Sequence, residues 1–299
     1  MSDKLYLGID GGGTKTAFAL MNSDLKIISY KEVGPSSLDT VSFETLKKVL
    51  EEGTKDITQT VDSIFLGLGG IYSKEQEMKV CELTKELNIV APHTKIDASN
   101  DVINALYGAL GGKDGIVLIA GTGSVCYGKN NGKTFRVGGY CYKEGDLGSA
   151  YDLGYKALQY LAKVIDKREE ETSFSKRLKE TINCYTYEDL TRYYMSATRT
   201  DVASLARVVT LEQNEEHAKS IIKSAVSEVL RMISTCYKEL KFEENTIISI
   251  IGSLGNADTY YKELLLEGIK NISSNLHCEK KIYEAYYGSC LKAKELTKC

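Results

Sequence analysis

A strand that enters a glycine turn and leaves at once as a second strand occurs twice in this chain. In the first copy, Lys4-Leu5-Tyr6-Leu7-Gly8-Ile9 leads into Asp10-Gly11-Gly12-Gly13-Thr14-Lys15-Thr16, and Ala17-Phe18-Ala19-Leu20-Met21 leads out. In the second, Gly115-Ile116-Val117-Leu118-Ile119-Ala120 leads into Gly121-Thr122-Gly123-Ser124, and Val125-Cys126-Tyr127-Gly128 leads out. Repetition of one strand–turn–strand device implies two copies of one supersecondary unit directed at a common ligand. The chain length of 299 residues also suggests two domains, at roughly 150 residues each. The expected boundary lies at Gly111-Gly112, giving domains 1–112 and 113–299, with the last helix free to pack back on the first domain.

Around these turns, a third strand is expected at 27–33 and buried strands at 63–68 and 95–98. Helical periodicity covers 42–52, 74–87 and 100–110. Alternation of this kind predicts an α/β layer architecture. Farther along, 145–166 and 215–240 read as helices; Ala218, Ile221, Ile222, Ala225, Val229, Met232, Ile233 and Cys236 share one apolar face. An apolar strand at 246–251 then delivers Gly252-Ser253-Leu254-Gly255-Asn256 to a helix at 259–268.

Composition excludes several function classes. There are 38 basic against 41 acidic residues, a net charge of −3, and no run of five or six like charges. Nucleic acid is therefore not an expected partner. No apolar run is longer than the five residues of Ile116 to Ala120. A spanning helix needs roughly 20 residues, so none is expected. No signal-peptide pattern opens the chain. A cytoplasmic protein without a membrane partner is the expectation. The eight cysteines show no CxxC pair and are read as free thiols; His93, His217 and His277 are read as solvated.

Chemistry concentrates in the turns. Successive glycines let backbone N–H groups approach phosphate oxygens, because they carry no Cβ and tolerate positive φ. Thr14, Lys15 and Thr16 add donors, and a two-residue hairpin needs far less glycine than this. Neither the Walker A spacing nor the Rossmann GxGxxG spacing is present. Asp10, ending a buried strand beside the turn, is placed to hold Mg²⁺, which uses one or two carboxylates plus phosphates and water. Asp101, in Ser99-Asn100-Asp101, is either a partner for a helix dipole or the base that takes a hydroxyl proton during phosphoryl transfer. Asp146 is either a helix cap or a ligand of a substrate hydroxyl.

These motifs together resemble a known group. DGGGTKT at 10–16, SND at 99–101, IAGTGS at 119–124, GGY at 138–140, GDLGSAY at 145–151 and IIGSLGNADTYYKELLLEG at 250–268 are similar to the N-acetylglucosamine kinase branch of the actin-like ATPase superfamily, within the BadF/BadG/BcrA/BcrD-type ATPases. The resemblance spans about residues 5–268. It implies two ribonuclease-H-like domains around a cleft and ATP held by Gly11, Gly12, Gly13, Thr14, Lys15 and Thr16 with Gly121, Thr122 and Gly123. It further implies adenosine against Gly252 and Ser253. Asp101 takes the family's catalytic position and Asp146 its sugar-binding one, with further substrate contacts at Asn100, Ser124 and Gly139. Five positions depart from the family pattern: Leu38 and Val125 replace sugar-contacting asparagines, Tyr140 and Cys141 replace tryptophan and glycine, and Leu147 replaces a glutamate.

The resemblance implies an ATP- and Mg²⁺-dependent kinase acting on the 6-hydroxyl of an amino sugar, N-acetylglucosamine or its lactyl ether N-acetylmuramic acid. A homodimer is compatible with it. Leu38 and Val125 are expected to widen tolerance at the sugar's 3-position. Lys143 is a candidate for the lactyl carboxylate, with a solvated loop lysine as the plainer reading. Two alternatives are a reductase-activating ATPase, which needs grouped cysteines, and a non-catalytic sugar sensor.

Overall fold

The computed structural model describes residues 4–142 and 146–298. Its contacts divide the chain into two compact units, one formed by residues 1–113 and 281–299 and the other by 114–280.

The first unit is built on strands β1 (Tyr6–Gly11), β2 (Thr16–Met21), β3 (Ile27–Val33), β4 (Ser63–Leu68) and β5 (Lys95–Asn100), with helices α1 (Phe43–Thr54), α2 (Lys74–Lys85) and α3 (Val102–Leu110). Its sheet order is β3-β2-β1-β4-β5. The first three strands form an antiparallel meander, while β4 and β5 run parallel to β1. Side chains of β1 alternate between faces, so Leu7 and Ile9 enter one core with Leu46 and Leu50 of α1 and Val80 of α2. The opposite face receives α3 and the C-terminal helix. Ser42 caps α1 by accepting from the Thr45 N–H, and Ser73 with Gln76 forms a capping box on α2. Gly111, in the left-handed region with φ of 61°, terminates α3, the usual place for a glycine at a helix end.

The second unit repeats this plan with β6 (Gly115–Ala120), β7 (Ser124–Asn130) and β8 (Lys133–Gly138) as the meander. Helices α4 (Ala150–Ile165), α5 (Ser173–Ile182), α6 (Tyr187–Ser196), α7 (Arg199–Ser204), α8 (Ala206–Leu211) and α9 (Glu216–Glu239) precede β9 (Thr246–Ile251). Then come α10 (Ser253–Asn256), α11 (Tyr260–Ile272) and β10 (Leu276–Glu279). The order β10-β9-β6-β7-β8 matches the first sheet strand for strand, and β9 and β10 run parallel to β6. The apolar face of α9 is buried in this unit's core with Leu153, Leu158 and Leu161 of α4. Finally α12 (Ala285–Leu296) returns to the first unit, where Ser63 Oγ donates to the Ala293 carbonyl across 230 positions.

Several elements differ from the sequence expectation. The helix expected over 145–166 starts at Ala150. Gly148 has a φ of 83°. Ser149 caps the helix by accepting from the Asp152 N–H, and the Asp152 carboxylate accepts from the Gly148 N–H. Gly145 lies outside the described residues. Asn100 ends β5 and does not begin α3, because it pairs with Leu68 in the parallel ladder. Short helices fill 173–211, where threonine caps at 172, 186 and 198 each form a capping box.

Candidate functional site

In the first unit, three features meet at the carboxyl ends of β1, β4 and β5, the edge at which open α/β sheets bind ligands. The first is the hairpin joining β1 to β2, closed by the Gly12 N–H donating to the Lys15 carbonyl at 3.0 Å. The second is Gly69-Gly70 after β4, whose Gly69 N–H donates to the Gly11 carbonyl. The third is Asp101 after β5.

Space, and not left-handed backbone, explains glycine in the first turn. None of Gly11, Gly12 and Gly13 has a positive φ, contrary to the reason anticipated from sequence. A Cβ on Gly11 would stand 2.0 Å from Ser36 Oγ, so this glycine serves internal packing. At Gly12 and Gly13 a Cβ would meet nothing closer than 3.7 and 3.8 Å. The protein itself leaves open space for a side chain there, so internal packing does not account for these two glycines. Thr14 and Lys15 are exposed, with Lys15 paired to Glu32. Thr16 is a correction: it is fully buried, its hydroxyl engaged with the Gly34 carbonyl and Ser36 Oγ at 2.7 Å each, so it braces the turn from inside.

Asp10 leaves β1 on the α3 side, where Asn104 Nδ2 donates to its Oδ1 at 2.7 Å and to the Gly67 carbonyl at 2.9 Å. Gly67 must be glycine, because a Cβ there would lie 2.2 Å from the Asn104 amide. Burial pushes the Asp10 carboxyl up to about 6; the Asn104 hydrogen bond opposes this, the Asp101 charge adds to it and Lys15 opposes it. Two carboxylates therefore sense each other here. Asp101 occupies the N-cap of α3 without making a capping hydrogen bond, and a Cβ on Gly69 would stand 3.5 Å from its Oδ2. Such an oxygen-only pair fits a hard divalent cation that keeps most of its water and shares phosphate ligands, as Mg²⁺ does. Asn100 is turned to the backbone instead: its amide donates to the Ile71 carbonyl and accepts from the Val102 N–H. Leu38 packs against the hydrophobic core of this unit, and its N–H donates to the Gly69 carbonyl.

In the second unit the matching turn is closed by the Gly121 N–H donating to the Gly123 carbonyl at 3.0 Å, and Thr122 is exposed at its tip. Gly121 and Thr122 carbonyls accept from the Ala150 and Tyr151 N–H groups, which seats the turn on the start of α4. Ser124 is buried and donates to the Leu147 carbonyl. Gly252, with φ of 102°, crosses so close to Ala120 that a Cβ would lie 2.4 Å from its carbonyl oxygen; Ser253 next to it is exposed.

Asp146 does not cap α4, a role Ser149 fills. It is buried and ion-paired with Arg199, whose Nη2 lies 2.5 Å from Oδ2. Burial holds its carboxyl above the ordinary value, while Arg199 and Arg136 oppose the rise. Gly123 lies against the pair: a Cβ there would displace Arg199 Nη2 and stand 2.9 Å from Asp146 Oδ2. The Arg199 guanidinium also lies over the Tyr142 ring at 5.3 Å, within cation–π range. Arg136 donates to the Gly138 and Gly139 carbonyls, and both glycines have positive φ. Val125 packs under Gly139; Tyr140 and Cys141 are exposed. Lys143 lies outside the described residues.

Sequence reasoning missed Asn104 and Arg199. A signal for Asn104 existed: it is the buried polar residue of the otherwise apolar Val102–Leu110 helix, one turn after Asp101. Arg199 carried none, being a cation in a polar stretch until the fold brings it to Asp146. Among the described residues the cysteines are free, and no group of three or more His, Cys, Asp or Glu is arranged to hold a metal. No helix among them is long and apolar enough to cross a membrane.

Comparison with known proteins adds to this geometry. Residues 7–290 match the BadF/BadG/BcrA/BcrD ATPase family. The chain is 31% identical over 274 residues to the N-acetylmuramic acid/N-acetylglucosamine kinase of Clostridium acetobutylicum, covering 87% of this chain and 89% of that protein. It is 28% identical over 307 residues to the N-acetyl-D-glucosamine kinase of Dictyostelium discoideum, covering 96% and 92%. In fold it is similar to a solved chain from Chromobacterium violaceum, with a TM-score of 0.74, 22% identity and 97% and 99% coverage. The ROK hexokinase of Thermus thermophilus superposes with a TM-score of 0.58 at 16% identity, covering 98% and 99%.

Proposed function

Because the chain belongs to the BadF/BadG/BcrA/BcrD ATPase family, we propose that it is an ATP-dependent kinase of N-acetylated amino sugars that phosphorylates the 6-hydroxyl. The observation that carries this reading is the Asp10–Asp101 carboxylate pair beside a turn whose Gly12 and Gly13 leave room for a ligand. N-acetylglucosamine and N-acetylmuramic acid are the proposed substrates.

Closing the hairpin uses the Gly12 N–H, so phosphate contacts are assigned to the backbone of Gly13, Thr14 and Lys15 and to the Thr14 hydroxyl. Gly121, Thr122 and Gly123 supply the second turn, and Gly252 with Ser253 the adenosine contact. Asp10, oriented by Asn104, would hold Mg²⁺, which when bound would supply neutralisation of charge on the transferred phosphoryl group. Asp101 accepts the proton of the sugar hydroxyl as its oxygen attacks the γ-phosphorus; the bond to the β–γ bridging oxygen breaks and ADP leaves. Asp146 accepts a hydrogen bond from another sugar hydroxyl. Cytoplasmic location and a small-molecule partner follow from this chemistry.

Asp101→Asn tests the assignment. It preserves shape and removes the basic oxygen, so kcat with N-acetylglucosamine is expected to fall by roughly 10²–10⁴ while ATP and sugar still bind by calorimetry. A variant keeping more than half of the wild-type kcat would take Asp101 out of the mechanism.

A further inference from the structure

We propose that Arg199 determines specificity for an anionic sugar, its guanidinium receiving the carboxylate of a 3-O-lactyl substituent while Asp146 holds a hydroxyl of the same ring. This deepens the kinase reading and rests on it. Four observations within the second unit support the assignment.

First, Asp146 is anchored and Arg199 is not enclosed: the side chains are 5% and 42% exposed, so the guanidinium reaches from a buried carboxylate out to solvent. Second, the charges of two guanidiniums, Arg199 and Arg136, both act on the Asp146 carboxylate, and Arg199 is ion-paired with it directly. Arg136 is committed to the Gly138 and Gly139 carbonyls, so of the two it is Arg199 that faces outward. Third, Tyr142 lies under the guanidinium and is itself packed edge-on against Tyr151 at 5.1 Å. That contact holds the guanidinium beside the ring, within cation–π range. Fourth, Gly123 clears space for Arg199 beside the second glycine turn, since any side chain there would displace it. A planar guanidinium held by one edge still offers N–H donors to a carboxylate in bidentate geometry, a contact a lysine cannot reproduce.

The experiment compares N-acetylmuramic acid, its neutral methyl ester and N-acetylglucosamine as substrates and, by calorimetry, as ligands. The wild-type enzyme is expected to favour the acid over the ester by about tenfold to a hundredfold, the range for a hydrogen bond to a charged group. Arg199→Ala should abolish that preference and lower the ratio of kcat/KM for N-acetylmuramic acid over N-acetylglucosamine by a similar factor; Arg199→Lys should restore part of it. The acid–ester comparison in the wild type stands even if Arg199→Ala, having left Asp146 buried without its cation, does not fold. Equal handling of acid and ester by the wild type, or a preference that survives in Arg199→Ala, would overturn the proposal. So would a raised KM for ATP in the variant with the acid–ester ratio unchanged, which would assign Arg199 to the nucleotide. Turnover of neither sugar by the wild type would instead remove the kinase reading beneath it.

Discussion

At the scale of single residues, the same amino acid serves opposite purposes a few ångströms apart. Gly11 is glycine because Ser36 occupies the space of its side chain; Gly12 and Gly13 are glycine although nothing in the protein occupies theirs. Motif matching treats the three alike, and only the tertiary structure separates the packed glycine from the two with open space. Asp10 shows a second such division. Its pKa is raised by burial to about 6 from an ordinary 3.8, so the folded state binds this proton more tightly than the unfolded chain does. Ionising Asp10 therefore costs the fold nothing below about pH 4; the cost grows as pH rises from there and is complete above about pH 6. Asp10→Asn keeps an oxygen for the Asn104 amide and removes the charge. In Mg²⁺- and nucleotide-free protein it is expected to be more stable than wild type at about pH 8 by at most about 3 kcal/mol, and no more stable near about pH 4. Urea midpoints at the two pH values measure this. A difference independent of pH would mean that burial does not destabilise the Asp10 carboxylate.

At the scale of elements, α12 decides how closely the first unit can pack behind β1. Gly8 lies on the face of β1 opposite Leu7 and Ile9, and a Cβ there would stand 2.3 Å from Ser289 Oγ and 2.4 Å from the Cys290 backbone nitrogen. Its φ is not positive, so Gly8→Ala tests space alone. Because a backbone atom of α12 must move, a loss of about 1–3 kcal/mol is expected, read as a lower urea midpoint. An unchanged midpoint would show that α12 can retreat without loss. The strands of both glycine hairpins and the apolar face of α9 are legible in the sequence because periods of two and 3.6 residues are written into local order. The short helices over 173–211 escape such a reading, although their threonine caps are present. So do β8 and β10: β8 contains Lys133, Thr134 and Arg136, and only Leu276 is buried in β10, so neither shows a continuous apolar run.

At the scale of the whole chain, residues 281–299 belong to the first unit although they follow the second in sequence. Removing them strips Ser289, Cys290 and Ala293 from the face of β1 and β4 and takes away the acceptor of Ser63. A chain ending at residue 280 is expected to lose hydrogen-exchange protection in β1 and α3 by orders of magnitude while β6 and α9 keep theirs. Retained protection in β1 would mean that α12 is dispensable to that sheet. The same contrast separates what the sequence by itself determined from what tertiary structure decided. Two glycine turns, the strands that carry them and Asp101 next to a helix start were determined locally, since turn chemistry and side-chain periodicity act over a few residues. Pairing of Asn104 with Asp10 and of Arg199 with Asp146 was decided only by the fold, across 94 and 53 positions. A polar side chain carries no mark of its future partner; which carboxylate it meets depends on which helices the buried apolar faces bring together, and burial then makes that one partner obligatory.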